Sequence, residues 1–193
     1  MSRMLKTTPK RMNKILLFVI LSIPVIAVSW RTLFNPGSHG FYRFFSWECI
    51  LWLFVNNYTY WFVNPWSVYQ LLSWFLLIAG SYVVLAGVLK LKKAGKATSG
   101  REDKNLYSFE RTTELVDTGI YKYIRHPLYG SLIYVTWAIY FKHPAWPLFV
   151  VACLSTLLLY LTAKFDEKEC TLYFGEKYHE YMNHSKMFIP YIF

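Results

Sequence analysis

Apolar blocks separated by short charged or proline-bearing breaks set the outline of this chain. Between Glu48 and Lys90 run 41 residues without Asp, Glu, Lys or Arg. At about 1.5 Å rise per residue that run is roughly twice the 30 Å hydrocarbon thickness of a bilayer, so it predicts two crossings. A soluble helix pair of that length would show a solvated face. Asn64-Pro65 supplies the break, since proline lacks a backbone donor and disfavours helix in the residue before it. The pattern predicts one helix over Phe44 to Val63 and the next over Trp66 to Leu89. An earlier apolar helix fits Ile15 to Trp30, between Lys14 and Arg31, with Pro24 tolerable inside it in lipid. Ser22, Ala27 and Ser29 lead into Trp30-Arg31 without a clear small-residue cleavage site, so this block is expected to stay on the chain.

Two further apolar blocks are shorter, Leu128 to Phe141 and Pro147 to Ala163. Between them lies Lys142-His143-Pro144-Ala145-Trp146-Pro147, a two-proline turn, so the pair predicts a helical hairpin. The first arm is short for a full crossing at about 1.5 Å per residue. The expectation is an all-α, polytopic integral membrane protein of about five transmembrane helices, four as the fallback. A C-terminal helical hairpin and a cytoplasmic helical tail complete it. Residues 1–193 then form one membrane domain, with three hydrophobic spans in 1–90 and the cofactor-binding and catalytic region in 91–193.

Composition agrees: 55% of residues are apolar, 20% aromatic and 17% charged. The net charge of +10 raises a nucleic-acid reading, but the cations are distributed by loop. With five spans, 15 of the 21 Lys and Arg collect on one side, nine of them within residues 90–125. The positive-inside rule makes that side cytoplasmic, and the lipid bilayer replaces nucleic acid as the expected partner. The same model leaves the basic N-terminus outside. Cys49, Cys153 and Cys170 show neither disulfide nor metal-ligand spacing, so no metal is expected.

Residues 91–127 are the long polar stretch of the chain, opening on a basic run from Lys92 to Arg101. Thr118-Gly119 marks a tight turn, and Pro127 suits a first helical turn. If the hairpin arms are antiparallel, Arg125 and His126 meet Asp166 and Glu167 at one membrane edge. Each residue alone has an ordinary explanation: Arg125 an interfacial anchor, His126 a satisfied interfacial histidine, Glu167 a surface pair with Lys164 or Lys168, the tyrosines an aromatic belt. Their combination is less easily met by chance.

Gly119-x-Tyr121-x-x-x-Arg125-His126-Pro127-x-Tyr129 resembles the signature of the isoprenylcysteine carboxyl methyltransferases and their prokaryotic relatives. Asp166-Glu167, Phe174-Gly175-Glu176, Tyr178, Tyr181 and Phe188-Ile189-Pro190 extend the resemblance, which covers about residues 106–193. It implies S-adenosylmethionine as cofactor, consistent with the lack of a glycine-rich dinucleotide fingerprint. By matching positions, Thr113, Glu114, Leu115, Val116, Gly119, Tyr121, His126, Pro127, Leu128 and Tyr129 would bind the cofactor. Glu167 would meet its amino group, with Asp166 as the reserve. Arg125 and Glu167 are the expected catalytic pair, Arg125 holding the carboxylate of a lipophilic, prenylated substrate by a forked contact. Tyr178 and Tyr181 would close over the cofactor or simply pack.

The pattern departs in two places. Gly130 follows Tyr129 directly, with Ser131 where the family often has glycine. Thr162 and Ala163 stand where eukaryotic members carry an arginine, with Lys164 beside them. A phospholipid N-methyltransferase and an NADPH-dependent sterol reductase-like enzyme are the enzymatic alternatives, the second drawing on the basic run from Lys92 to Arg101. A non-enzymatic membrane scaffold is the third reading. No obligate protein partner is implied.

Overall fold

The computed structural model describes residues 8–94 and 112–191, and all regular structure among them is helical. Six α-helices follow one another: α1 (Thr8–Ser29), α2 (His39–Asn57), α3 (Val68–Ala94), α4 (Pro127–Lys142), α5 (Trp146–Phe174) and α6 (Glu176–His184). Most of the basic run from Lys92 to Arg101 lies outside the described residues.

Local sequence sets the helix ends. Ser38 caps α2, its hydroxyl accepting from the Gly40 N–H at 3.1 Å, which satisfies one orphan donor of the first turn. That cap starts α2 at His39, and the helix ends at Asn57, where the sequence pattern predicts Phe44 to Val63. The break around Asn64-Pro65 is wider than expected, and α3 starts at Val68. Pro127 and Pro147 occupy first-turn positions of α4 and α5, where a missing N–H is harmless. Gly175, at φ +60°, ends α5 and lets α6 start at once. Asp166 to Glu169 are helical, so α5 continues well beyond the apolar block that ends at Ala163.

α4 and α5 form the hairpin; α3 lies along α4, and α2 lies along α5. Buried hydroxyls join the layers: Ser46 meets Ser155 at 3.0 Å, and Thr136 meets Ser155 at 3.2 Å. Ser22 on α1 donates to Glu48 on α2 at 2.6 Å. The chain then returns to the hairpin mouth. Lys186 pairs with Ile124 in a parallel bridge, its N–H donating to Tyr123 O at 3.0 Å.

Two helices, α3 and α5, are long and apolar enough to cross a membrane. Only 17% and 28% of their most apolar stretches are buried within the protein. A core helix of a soluble protein is mostly covered, whereas Phe75, Ile78, Tyr82 and Leu85 of α3 all stand exposed. Of the five expected spans, two pass by length and composition among the described residues. α4 is short at 16 residues, and α2 carries Arg43 and Glu48 within its 19.

Candidate functional site

The antiparallel hairpin brings the mouth of α4 to the polar end of α5. Gly119, at φ +67°, makes the turn that starts a 3-10 segment, Gly119–Lys122, and this delivers Tyr121 inward. Arg125 then folds over Glu167: Nε and Nη2 each lie 2.9 Å from Oε1. Nη1 donates to the carbonyls of Met182 and Ser185. With side chains only 11% and 8% exposed, this is a buried pair, not a surface bridge of marginal worth. Lys164 Nζ takes the second Glu167 oxygen at 3.0 Å.

His126 sits at the N-cap position of α4, buried between the two acids. Nδ1 is 3.4 Å from Asp166 Oδ2 and Nε2 is 3.5 Å from Glu167 Oε1, though Nε2 makes no hydrogen bond among the described residues. Its ring stacks on Tyr129 at 5.5 Å, and Phe188 lies beside it at 6.3 Å. Asp166 and Glu167 lie past the apolar block of α5. Burial, the largest influence on each, opposes ionisation. The nearby His126 ring and the surrounding cations outweigh it and hold both carboxyls down to about 2. Burial likewise lowers the His126 pKa, but the two carboxylates overcome it and the net shift is upward. Tyr178 and Tyr181 are raised, chiefly by burial.

A partly open chamber with a cavity volume of about 100 Å³ lies against this cluster. Leu115, Val116, Tyr121, Arg125, His126, Pro127, Leu128 and Tyr129 line it. Thr113, Glu114, Gly119 and Glu167 are outside the lining. Gly119 makes the turn before Tyr121, and Glu167 pairs with Arg125 behind the lining. Asp166, the reserve carboxylate, faces the chamber in place of Glu167. Tyr178 and Tyr181 both reach it, and the Tyr181 hydroxyl donates to Tyr121 O at 2.7 Å. Leu91, Thr112, Cys170 and Phe174 complete the wall. Thr112 and Cys170 flank recognisable motifs; Leu91 and Phe174 carry no signal beyond being apolar.

A second cluster was not foreseen. His39, Asp166 and Glu169 each place a metal-ligand type of atom within 4.8 Å of the others, although sequence spacing suggested no such group. Ala163, at the place of the eukaryotic arginine, packs in the apolar cluster of Tyr129, Leu159, Met187 and Phe188.

The chamber combines a paired carboxylate, a buried imidazole and aromatic faces. That donor set suits a small zwitterion carrying a second, softer cationic centre. Neither a curated protein nor a solved structure matches the chain. Residues 68–177, more than half of the sequence, match the family model described as phospholipid methyltransferase; the match does not extend to the isoprenylcysteine group that the motif resembles. The chain belongs to the phospholipid methyltransferase family.

Proposed function

We propose that this protein transfers a methyl group from S-adenosylmethionine to the polar end of a lipophilic acceptor, at the junction of its apolar helices with water. The observation that carries this reading is the chamber holding Asp166 and His126 beside Tyr121, Tyr129, Tyr178 and Tyr181. Asp166 is the partner for the cofactor's amino group, the His126 Nε2 a donor for its carboxylate, and the aromatic faces suit its sulfonium. Bound there, S-adenosylmethionine supplies an electrophilic methyl: the acceptor's lone pair forms the new bond, and sulfur keeps the electrons of the broken one. Arg125 and Glu167 hold the mouth of α4 against the C-terminal segment, which keeps the chamber walls in register. Holding the reacting groups in line can supply about 7–11 kcal/mol of the barrier reduction.

The resemblance implies a carboxylate acceptor, an isoprenylcysteine, with Arg125 as its holder. Each Arg125 nitrogen is already engaged with Glu167, Met182 O or Ser185 O, and Lys164 is engaged with Glu167. No cation is left over from that set to fork a substrate carboxylate, which favours an amine headgroup attacking in its neutral form. The reading also includes a multi-pass chain with its chamber on the cytoplasmic side, supported by the basic residues that collect there.

Membranes or purified protein given labelled S-adenosylmethionine with phosphatidylethanolamine, prenylcysteines and fatty acids test both parts. Label on the amine supports the favoured acceptor, and label on a prenylcysteine restores the carboxylate. Saturable binding of NADPH without binding of S-adenosylmethionine overturns the methyltransferase reading.

A further inference from the structure

The apolar tail of a lipophilic acceptor needs a place outside the polar chamber. A larger cavity of about 520 Å³ lies beside it, in the crevice between the two arms of the hairpin. Gly130, Ile133 and Trp137 line it from α4, and Cys153, Thr156 and Tyr160 from α5. Both sets step by three and then four residues, so each is one face of its helix. The hairpin thus turns two faces onto a common groove whose walls are almost wholly apolar.

Groove and chamber share a wall. Tyr129 lines the chamber, and the next residue, Gly130, lines the groove. Phe188 lies 6.3 Å from the His126 ring of the chamber and lines the groove as well. Towards the closed end of the hairpin, Trp137 stands about 12 Å along α4 from Tyr129, at about 1.5 Å per residue. Its indole N–H donates to Thr156 Oγ1 across the hairpin at 3.2 Å, and that hydroxyl donates to Ala152 O at 2.9 Å. Tyr140 and Phe149 pack edge-on against the same ring at 5.6 and 5.8 Å. One hydrogen bond and two rings therefore hold the indole as the floor of the groove.

We propose that this groove takes the hydrocarbon tail of the methyl acceptor, and that Trp137, strapped to Thr156, limits the length of tail it accepts. This rests on the chamber being the methyl-transfer site. A tail that moves from the bilayer into the groove exchanges one apolar medium for another, so burial itself adds little. What the groove imposes is shape. A tail that reaches beyond the indole must displace it or bend out past Leu157 and Ile189, the exposed members of the lining. Bulk membrane lipid and a helix of a second copy are the other occupants that an apolar groove admits.

The test gives the full chain labelled S-adenosylmethionine with lysophosphatidylethanolamines and prenylcysteines of graded tail length, each at one mole fraction in mixed micelles. For wild type, kcat/KM should hold level and then fall about tenfold once the tail outgrows the groove, the size of an ordinary overpacking penalty. Trp137→Ala should move that fall to longer tails. Cys153→Trp fills the groove from an exposed position and should move it to shorter ones; it decides the matter if Trp137→Ala does not fold. Both variants should bind S-adenosylmethionine as wild type does, and a merely structural defect would not shift the length profile. A profile shared by wild type and the variants overturns the proposal alone. In nanodiscs, the same lipids with a photoreactive group at the tail end should label Trp137, Cys153 and Thr156 well above Phe75, Ile78 and Tyr82 of α3. Equal labelling of the two faces, or crosslinks there between two copies, assigns the groove to bulk lipid or to a dimer and also overturns it. Wild type that methylates neither class at any length overturns the methyltransferase reading and this one with it.

Discussion

At the closed end of the α4–α5 hairpin, Lys142 is buried with its Nζ 3.0 Å from Gln70 Oε1 and 3.7 Å from the Trp74 ring centroid. Gln70 in turn donates to Tyr60 O at 2.8 Å and to Lys142 O at 3.3 Å, and His143 stacks on Tyr60 at 3.9 Å. At the open end, Arg125 and Glu167 are equally well paired, but His126 Nε2 has no hydrogen bond among the described residues and a chamber lies alongside. Both ends bury charge. The closed end fills its space with indole and amide, so the charge serves only to fasten α3 to α4. The open end leaves polar capacity facing a cavity. Buried charge alone is therefore a poor sign of a site in this molecule, and buried charge that lines a chamber is the informative one.

The comparison can be broken most forcefully at Arg125. Arg125→Ala leaves Glu167 buried and releases the Met182 and Ser185 carbonyls, and should cost about 3–5 kcal/mol in denaturant unfolding. The double variant Arg125→Met with Glu167→Met should recover much of that loss, since two apolar side chains leave no charge stranded. A single variant as stable as wild type would show that the open end is not held this way.

Next in size is the response to pH. Asp166 and Glu167 sit at about 2 when folded, so the stability they contribute is present above their ordinary range and lost as pH falls through it toward 2. His126 is raised, so its contribution is full below about pH 6.5 and lost as pH rises through its folded value. Thermal unfolding should therefore peak between roughly pH 5 and 6.5, with Asp166→Asn flattening the acid side. An acid side unchanged in that variant contradicts the assignment.

At the closed end, Lys142→Met removes the donor to Gln70 Oε1 and should cost about 1–3 kcal/mol without touching the chamber. The smallest effect belongs to Tyr181→Phe, which deletes the bond to Tyr121 O and should cost about 0.5–1.5 kcal/mol by the same measurement.

Much of this was legible in the sequence, unevenly. The hairpin followed from two apolar blocks around a two-proline turn. Its antiparallel closure placed Arg125 and His126 against Asp166 and Glu167, as the structure has them. The start of α2 was missed because a count of apolar residues ignores the Ser38 cap, which extends the helix through polar His39 and Arg43. The division of work between neighbouring acids was also hidden. Asp166 and Glu167 differ by about 100° around a 3.6-residue helix, and only packing decides which faces Arg125 and which the chamber. His39 carried no signal at all, because its partners lie 127 to 130 positions away and are brought close only by the packing of α2 on α5.

The central claim is that the open end of the hairpin is a cofactor site and the closed end is not. Equilibrium binding of labelled S-adenosylmethionine to wild type, Asp166→Asn and Lys142→Met in lipid nanodiscs tests it most directly. Saturable binding is expected for wild type and Lys142→Met, with affinity lowered at least about tenfold in Asp166→Asn. Binding that is undiminished in Asp166→Asn, or lost in Lys142→Met alone, would contradict the account.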